Sequence, residues 1–135
     1  MLLQSITFHN YRQFKGSQTI SFSTDSNKNV TVIIGQNTFG KTTIVQAFIW
    51  CLYGNVDFKN KKMLNAEVRH QLESKAAGSS EYASVIIRLI HNGTNYLIER
   101  KENNTVKSLK QIEINEKFTI YECDEHGNTL PISGT

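Results

Sequence analysis

Residues 33–43 read Ile-Ile-Gly-Gln-Asn-Thr-Phe-Gly-Lys-Thr-Thr, with Gly35 and Gly40 five apart and Lys41-Thr42-Thr43 directly after. This is the spacing of a phosphate-binding loop. Gly35 lets the chain leave a strand sharply, and Gly40 lets backbone approach a phosphate closely. Asn37, Thr38 and Phe39 fill the loop between them. Successive N–H groups over 37–42 would converge as an anion nest. A helix starting near Lys41 would add its dipole and its unpaired N–H groups. Lys41 would reach the β- and γ-phosphates, and the Thr42 hydroxyl would hold Mg²⁺. Thr43 would add a hydroxyl bond to the α-phosphate. The implied ligands are ATP and Mg²⁺. The rival reading is a Gly-rich turn that merely joins strand to helix.

The elements around the loop are those such chemistry needs. The run Val-Thr-Val-Ile-Ile at 30–34 is short, β-branched and nearly all apolar, as in a strand buried on both faces. Residues 41–53 have helical length, lack Gly and Pro, and carry Gln46 as the only polar residue after Thr43. That composition predicts a helix buried on every side, ended by Gly54 as its C-cap. Upstream, residues 2–9 and 18–22 alternate and predict a hairpin across a turn at 10–16. Downstream, residues 66–76 suggest a short helix. Residues 82–91 and 94–100 read as strands around Asn92-Gly93, a strong hairpin signal. Residues 110–115 and 117–123 suggest one more hairpin.

The 135-residue length suits one domain, and 39% apolar with 20% charged residues is ordinary for a soluble globular protein. The net charge of +3 permits a basic patch without requiring nucleic acid. Cys51 and Cys123 lie far apart, and His9, His70, His91 and His126 are scattered, so no metal-ligand spacing arises. The N-terminus alternates and is no secretory signal. No apolar run approaches the roughly 18 residues of a membrane span. The expected location is the cytoplasm, with no membrane partner.

Three stretches together carry a resemblance. They are Asn10-Tyr11-Arg12 after the first strand, the phosphate loop, and Leu52-Tyr53-Gly54 at the end of the following helix. With a strand–turn–strand ending in Arg100-Lys101, they resemble the start of an SMC-like ATPase head, of the SbcC and DndD type of DNA repair and phage-defence ATPases. The resemblance implies an α/β P-loop NTPase fold. The chain would be the N-terminal lobe of an ABC/SMC-type head, with an antiparallel β subdomain around a central buried P-loop helix. The P-loop core would span about 1–54 and the hairpin-rich part about 82–123, in a single lobe of 1–135. Arg12 would lie over the nucleotide and contact phosphate. The family's Asn-Gly step is Asn37-Thr38 here. If position 38 needs a positive φ, a β-branched residue is a poor occupant.

The resemblance also implies what lies elsewhere. A glutamine-bearing loop, a Ser-Gly-Gly signature and a buried strand ending in Asp-Glu are not recognisable here. Asp124-Glu125 follow an alternating segment, which is the pattern of a half-exposed strand. The chain therefore reads as a fragment or truncated product. Its partners would be the C-terminal half of the same head, a second head in an ATP-driven homodimer, DNA, and a nuclease or defence partner. Lys59, Lys61, Lys62 and Arg69 could form a basic DNA-contacting rim or an ordinary solvated loop. Two other readings stand beside this one. One is an unrelated P-loop kinase or GTPase. The other is a non-enzymatic interaction module whose Thr38-Phe39 loop no longer binds ATP.

Overall fold

The computed structural model of the chain describes residues 2–22, 38–54, 63–108 and 111–130. Six strands form one sheet: β1 (Leu2–Tyr11), β2 (Phe14–Ser21), β3 (Ser80–His91), β4 (Thr94–Val106), β5 (Ile112–Cys123) and β6 (Thr129–Leu130). Their spatial order is β2-β1-β3-β4-β5-β6, and every pairing is antiparallel. Two helices, α1 (Thr38–Tyr53) and α2 (Ala66–Glu73), complete the described elements.

Side-chain alternation sorts the sheet into two faces. One rung of isoleucines, Ile20, Ile6, Ile87, Ile98 and Ile120, runs across five neighbouring strands. Ile6 and Ile87 at its centre are fully buried, whereas Ile120 at its end is 42% exposed. The difference follows from α1, which lies against β3 and β4 and leaves β5 largely uncovered. Ala47, Trp50 and Cys51 form the buried side of α1. The Cys51 thiol donates to Val85 O (3.3 Å) and Ile98 O (3.6 Å), so it is a buried packing residue. Burial pushes that thiol up to about 12.

The first hairpin and the Asn92-Gly93 turn form as expected, the latter with φ of 51° and 77°. Residues 66–73 form the short helix, with Asn65 as N-cap: its Oδ1 accepts from the N–H groups of Glu67 and Val68. Other expectations need correction. α1 begins at Thr38 rather than near Lys41. A Gly in a first turn breaks few intrahelical bonds, so Gly40 does not delay the helix. Nor is α1 buried all round. Val45 and Tyr53 are 57% and 72% exposed, because a sheet covers only one side of a helix. Residues 110–115 and 117–123 do not form a hairpin. β5 runs unbroken through Glu116-Lys117, paired with Glu102 and Lys101 of β4. The Asn-Glu-Lys step lacks the glycine a tight turn favours, and β4 offers a continuous ladder out to Val106. The expected strand at 30–34 lies outside the described residues.

Candidate phosphate site

The loop residues Gly35 and Asn37 lie outside the described residues, as do Lys59, Lys61 and Lys62. Thr38, Phe39, Gly40, Lys41 and Thr42 form the first residues of α1. Helical backbone has negative φ, so Thr38 meets no left-handed strain there. The first turn holds no acidic residue to offset the positive end of the helix dipole. Thr43 follows and is 7% exposed.

The far end of α1 is held by a residue the sequence did not single out for this. Gly54 has φ 77°, and its N–H donates to Trp50 O (2.8 Å) as a left-handed cap. The last turn of α1 carries no basic residue. Arg100 of β4 supplies the cation instead: its Nε donates to Cys51 O at 3.2 Å. The same guanidinium pairs with Glu116 (3.1 Å) and stacks over Phe118 (4.5 Å). A positive charge at a helix C-terminus complements the dipole. Arg100 thus anchors the helix whose other end carries Lys41. Its partner in the basic pair, Lys101, faces the opposite side of the sheet, over the Tyr82 ring at 4.0 Å.

Arg12 sits in a tight turn between β1 and β2. Asn10 and Arg12 both adopt left-handed backbone, with φ of 48° and 52°. Asn10 makes that possible: its Oδ1 accepts from Gly16 N–H (2.8 Å), closing the turn with a side chain. Tyr11 points the other way and is fully buried. A ladder of rings joins the hairpin to α1: Phe14–Phe8 at 4.9 Å, Phe8–Tyr11 at 5.9 Å and Tyr11–Trp50 at 5.5 Å. Such stacked pairs contribute about 0.5–1.5 kcal/mol each beyond area burial.

The segment before α2 clamps this turn. Arg12 N–H donates to Met63 O (2.8 Å), Asn65 N–H to Asn10 O (2.7 Å), and Asn65 Nδ2 to Arg12 O (2.7 Å). One residue therefore caps α2 and grips the backbone of Arg12. Behind the clamp lies a polar cluster in the core. Arg69 donates to Asn104 Oδ1 (3.3 Å), Asn104 Nδ2 donates to Glu102 Oε1 (3.4 Å), and Glu102 accepts from the Met63 N–H. Glu102 is 7% exposed and Asn104 fully buried. Burial raises the Glu102 pKa, against the lowering effect of its hydrogen bonds. The Tyr11 hydroxyl is buried without a hydrogen-bond partner among the described residues, and burial raises its pKa strongly. A cavity of about 610 Å³ opens between the turn and α2, lined by Arg12, Asn65, Arg69, His70 and Glu73 among others. Arg69, expected on a DNA-contacting rim, thus shares a cavity with Arg12.

Asp124 caps the β5–β6 turn. Its Oδ1 accepts from His126 N–H (2.9 Å) and Asn128 N–H (2.8 Å), which lowers its pKa. Among the described residues no group of His, Cys, Asp and Glu is arranged to hold a metal. No helix among them is long and apolar enough to cross a membrane.

The described residues form a mixed α/β domain, helices with a curled antiparallel sheet, of a kind that accommodates the P-loop nucleotide-binding class. The sequence matches the AAA domain family over residues 5–132, and the chain belongs to that family. Membership makes it an ATPase-type domain, a type that uses nucleotide and usually Mg²⁺. No curated protein matches the chain.

Proposed function

We propose that the chain is the ATP-binding lobe of an SMC-like ATPase head that acts in DNA repair, DNA end processing or anti-phage defence. The observation that carries the nucleotide reading is the first turn of α1, with Gly40, Lys41 and Thr42 and no acidic neighbour. Lys41 binds the β- and γ-phosphates, Thr42 holds Mg²⁺, and Arg12 contacts phosphate from its clamped turn. Mg²⁺ supplies charge neutralisation across the phosphates. The fully antiparallel pairing of the described sheet favours an ABC-type head over an ordinary P-loop kinase or GTPase.

The DNA-directed role rests on the resemblance of Asn10-Tyr11-Arg12, the loop and Leu52-Tyr53-Gly54 to SMC-like heads. Hydrolysis requires a C-terminal half and a second head. The uncovered apolar side chains Val45, Tyr53, Phe118 and Ile120 support the first of these, since they offer surface for another layer. Lys41→Ala tests the nucleotide reading. It removes charge-assisted bonds worth about 1.5–3 kcal/mol each, so ATP affinity in calorimetry should fall about tenfold or more. Unchanged affinity would make the loop a structural turn.

A further inference from the structure

The cavity between the Asn10–Gln13 turn and α2 gathers two arginines from distant parts of the chain, and the fold fixes the backbone of one and the side chain of the other. Arg12 projects from left-handed backbone whose N–H and C=O are both hydrogen-bonded to the 63–65 segment. Arg69 is held by the buried Asn104 on one side and leaves its side chain 18% exposed. His70 also lines the cavity. The acid among the lining residues is Glu73, which meets Arg69 at 3.6 Å with half its side chain in solvent. At that length, and with Glu73 half in solvent, the pair is weak enough for an anion to displace the carboxylate. Of the two guanidiniums, that of Arg69 is held by Asn104 before a ligand arrives and loses little freedom when one binds. Their planar forks match tetrahedral oxyanions.

We propose that this cavity binds phosphate groups, with Arg12 and Arg69 acting together on one ligand and His70 as a further donor. The two arginines then serve one site rather than separate nucleotide and nucleic-acid roles. The volume of about 610 Å³ admits more than a single phosphate. The phosphate can come from a nucleotide held at the α1 loop or from a nucleic-acid backbone. For the first source the inference rests on the nucleotide reading above; the site itself does not.

The test is an NMR titration of the whole chain, following the arginine Nε–H and histidine ring signals. The probes are sodium tripolyphosphate, Mg-ATP and a short oligothymidylate, each added to the wild type and to Lys41→Ala. Tripolyphosphate should move the Arg12, Arg69 and His70 signals together in both proteins. Arg69→Gln should weaken that response about tenfold, the loss of one charge-assisted contact. Arg69→Lys, which keeps the charge and loses the fork, should fall between. ATP shifts that vanish in Lys41→Ala would assign the phosphate to a loop-bound nucleotide. Oligothymidylate shifts that persist in Lys41→Ala would assign it to a nucleic-acid backbone. If Lys41→Ala leaves ATP affinity intact while tripolyphosphate still moves the cavity signals, the loop reading fails and the cavity site stands. Arg69 and His70 signals that ignore all three probes would overturn the proposal. So would full tripolyphosphate affinity in a folded Arg69→Gln.

Discussion

Glu102 is the residue at which burial and charge conflict most openly. Its carboxyl lies in the core beside Tyr11 and Asn104, with Arg69 and Glu116 acting on it from farther off. Desolvation outweighs the hydrogen bonds from Asn104 and Met63, and the pKa rises above the ordinary 4.5. A carboxyl raised in this way keeps its proton longer in the folded chain than in the unfolded one. Its contribution to stability is greatest below the unfolded pKa and declines as pH rises through the raised folded value. Glu102→Gln retains an acceptor for the Met63 N–H and removes the titration. The variant should therefore melt at a higher temperature at neutral pH and lose part of the pH slope above 4.5. Melting curves across that range check it, and an unchanged slope would assign the pH dependence to other groups.

At the scale of elements, the proposed phosphate site lies at the start of α1, and the C-terminal end of that helix is where it can be loosened without touching those residues. Gly54 occupies φ 77°, and a Cβ there would come within 3.2 Å of Arg100 Nη1. Gly54→Ala should cost about 1–2 kcal/mol from the left-handed backbone alone, with the crowding of Arg100 added to it. Urea unfolding would register the loss, and a cost near zero would mean that the helix end relaxes freely. The N-cap of α2 invites a parallel test. Asn65→Ala removes the Oδ1 cap and the Nδ2 grip on Arg12 O together. Loss of a cap is typically worth about 1 kcal/mol. The amide signals of Asn10 to Gln13 should shift along with those of α2, whereas a change confined to α2 would separate cap from clamp. Both elements were legible in the sequence. Gly54 marked the end of a helical run, and residues 66–76 suggested a short helix, though not its cap. That Arg100 would cap α1, or that Asn65 would also hold Arg12, was not legible, because each contact joins segments that only the sheet brings together.

For the whole molecule, the proposed division of labour between lobes makes a kinetic prediction. Phosphoryl transfer to water is largely a matter of positioning and electrostatics. On the proposed reading, Gly35 to Thr43 would supply a phosphate cradle and Thr42 one Mg²⁺ ligand. The acid pair nearest to a water-activating motif in sequence, Asp124-Glu125, belongs to a turn, with Asp124 Oδ1 already accepting two N–H groups. The chain alone should hydrolyse ATP negligibly, and a C-terminal half supplied in trans should raise both ATPase rate and melting temperature. β5 supports the stability arm. β6 pairs only with Glu122 and Cys123, while Ile114, Phe118 and Ile120 stay 41–45% exposed beside the lower ladder. Turnover by the isolated chain at the rate of an intact head, abolished by Lys41→Ala, would refute the division.

What the sequence by itself determined is everything set by near neighbours. Gly35, Gly40, Lys41 and Thr42 carry the spacing of a phosphate loop. Asn92-Gly93 declares a hairpin because few residues tolerate positive φ, and alternation in residues 2–9 declares a half-buried strand. Lys101-Glu102-Asn103-Asn104-Thr105 lies beyond the strand that the sequence predicts over 94–100, yet it continues β4. Only pairing with β3 and β5 turns it into a strand, and only its register sends Arg100, Glu102 and Asn104 to the helix-bearing face. There they become a helix cap, a buried carboxyl and the support of Arg69. The convergence of Arg12 and Arg69 on one cavity was likewise decided by tertiary structure. A charged side chain carries no mark of its distant partner until strand register and helix docking fix which groups leave water together.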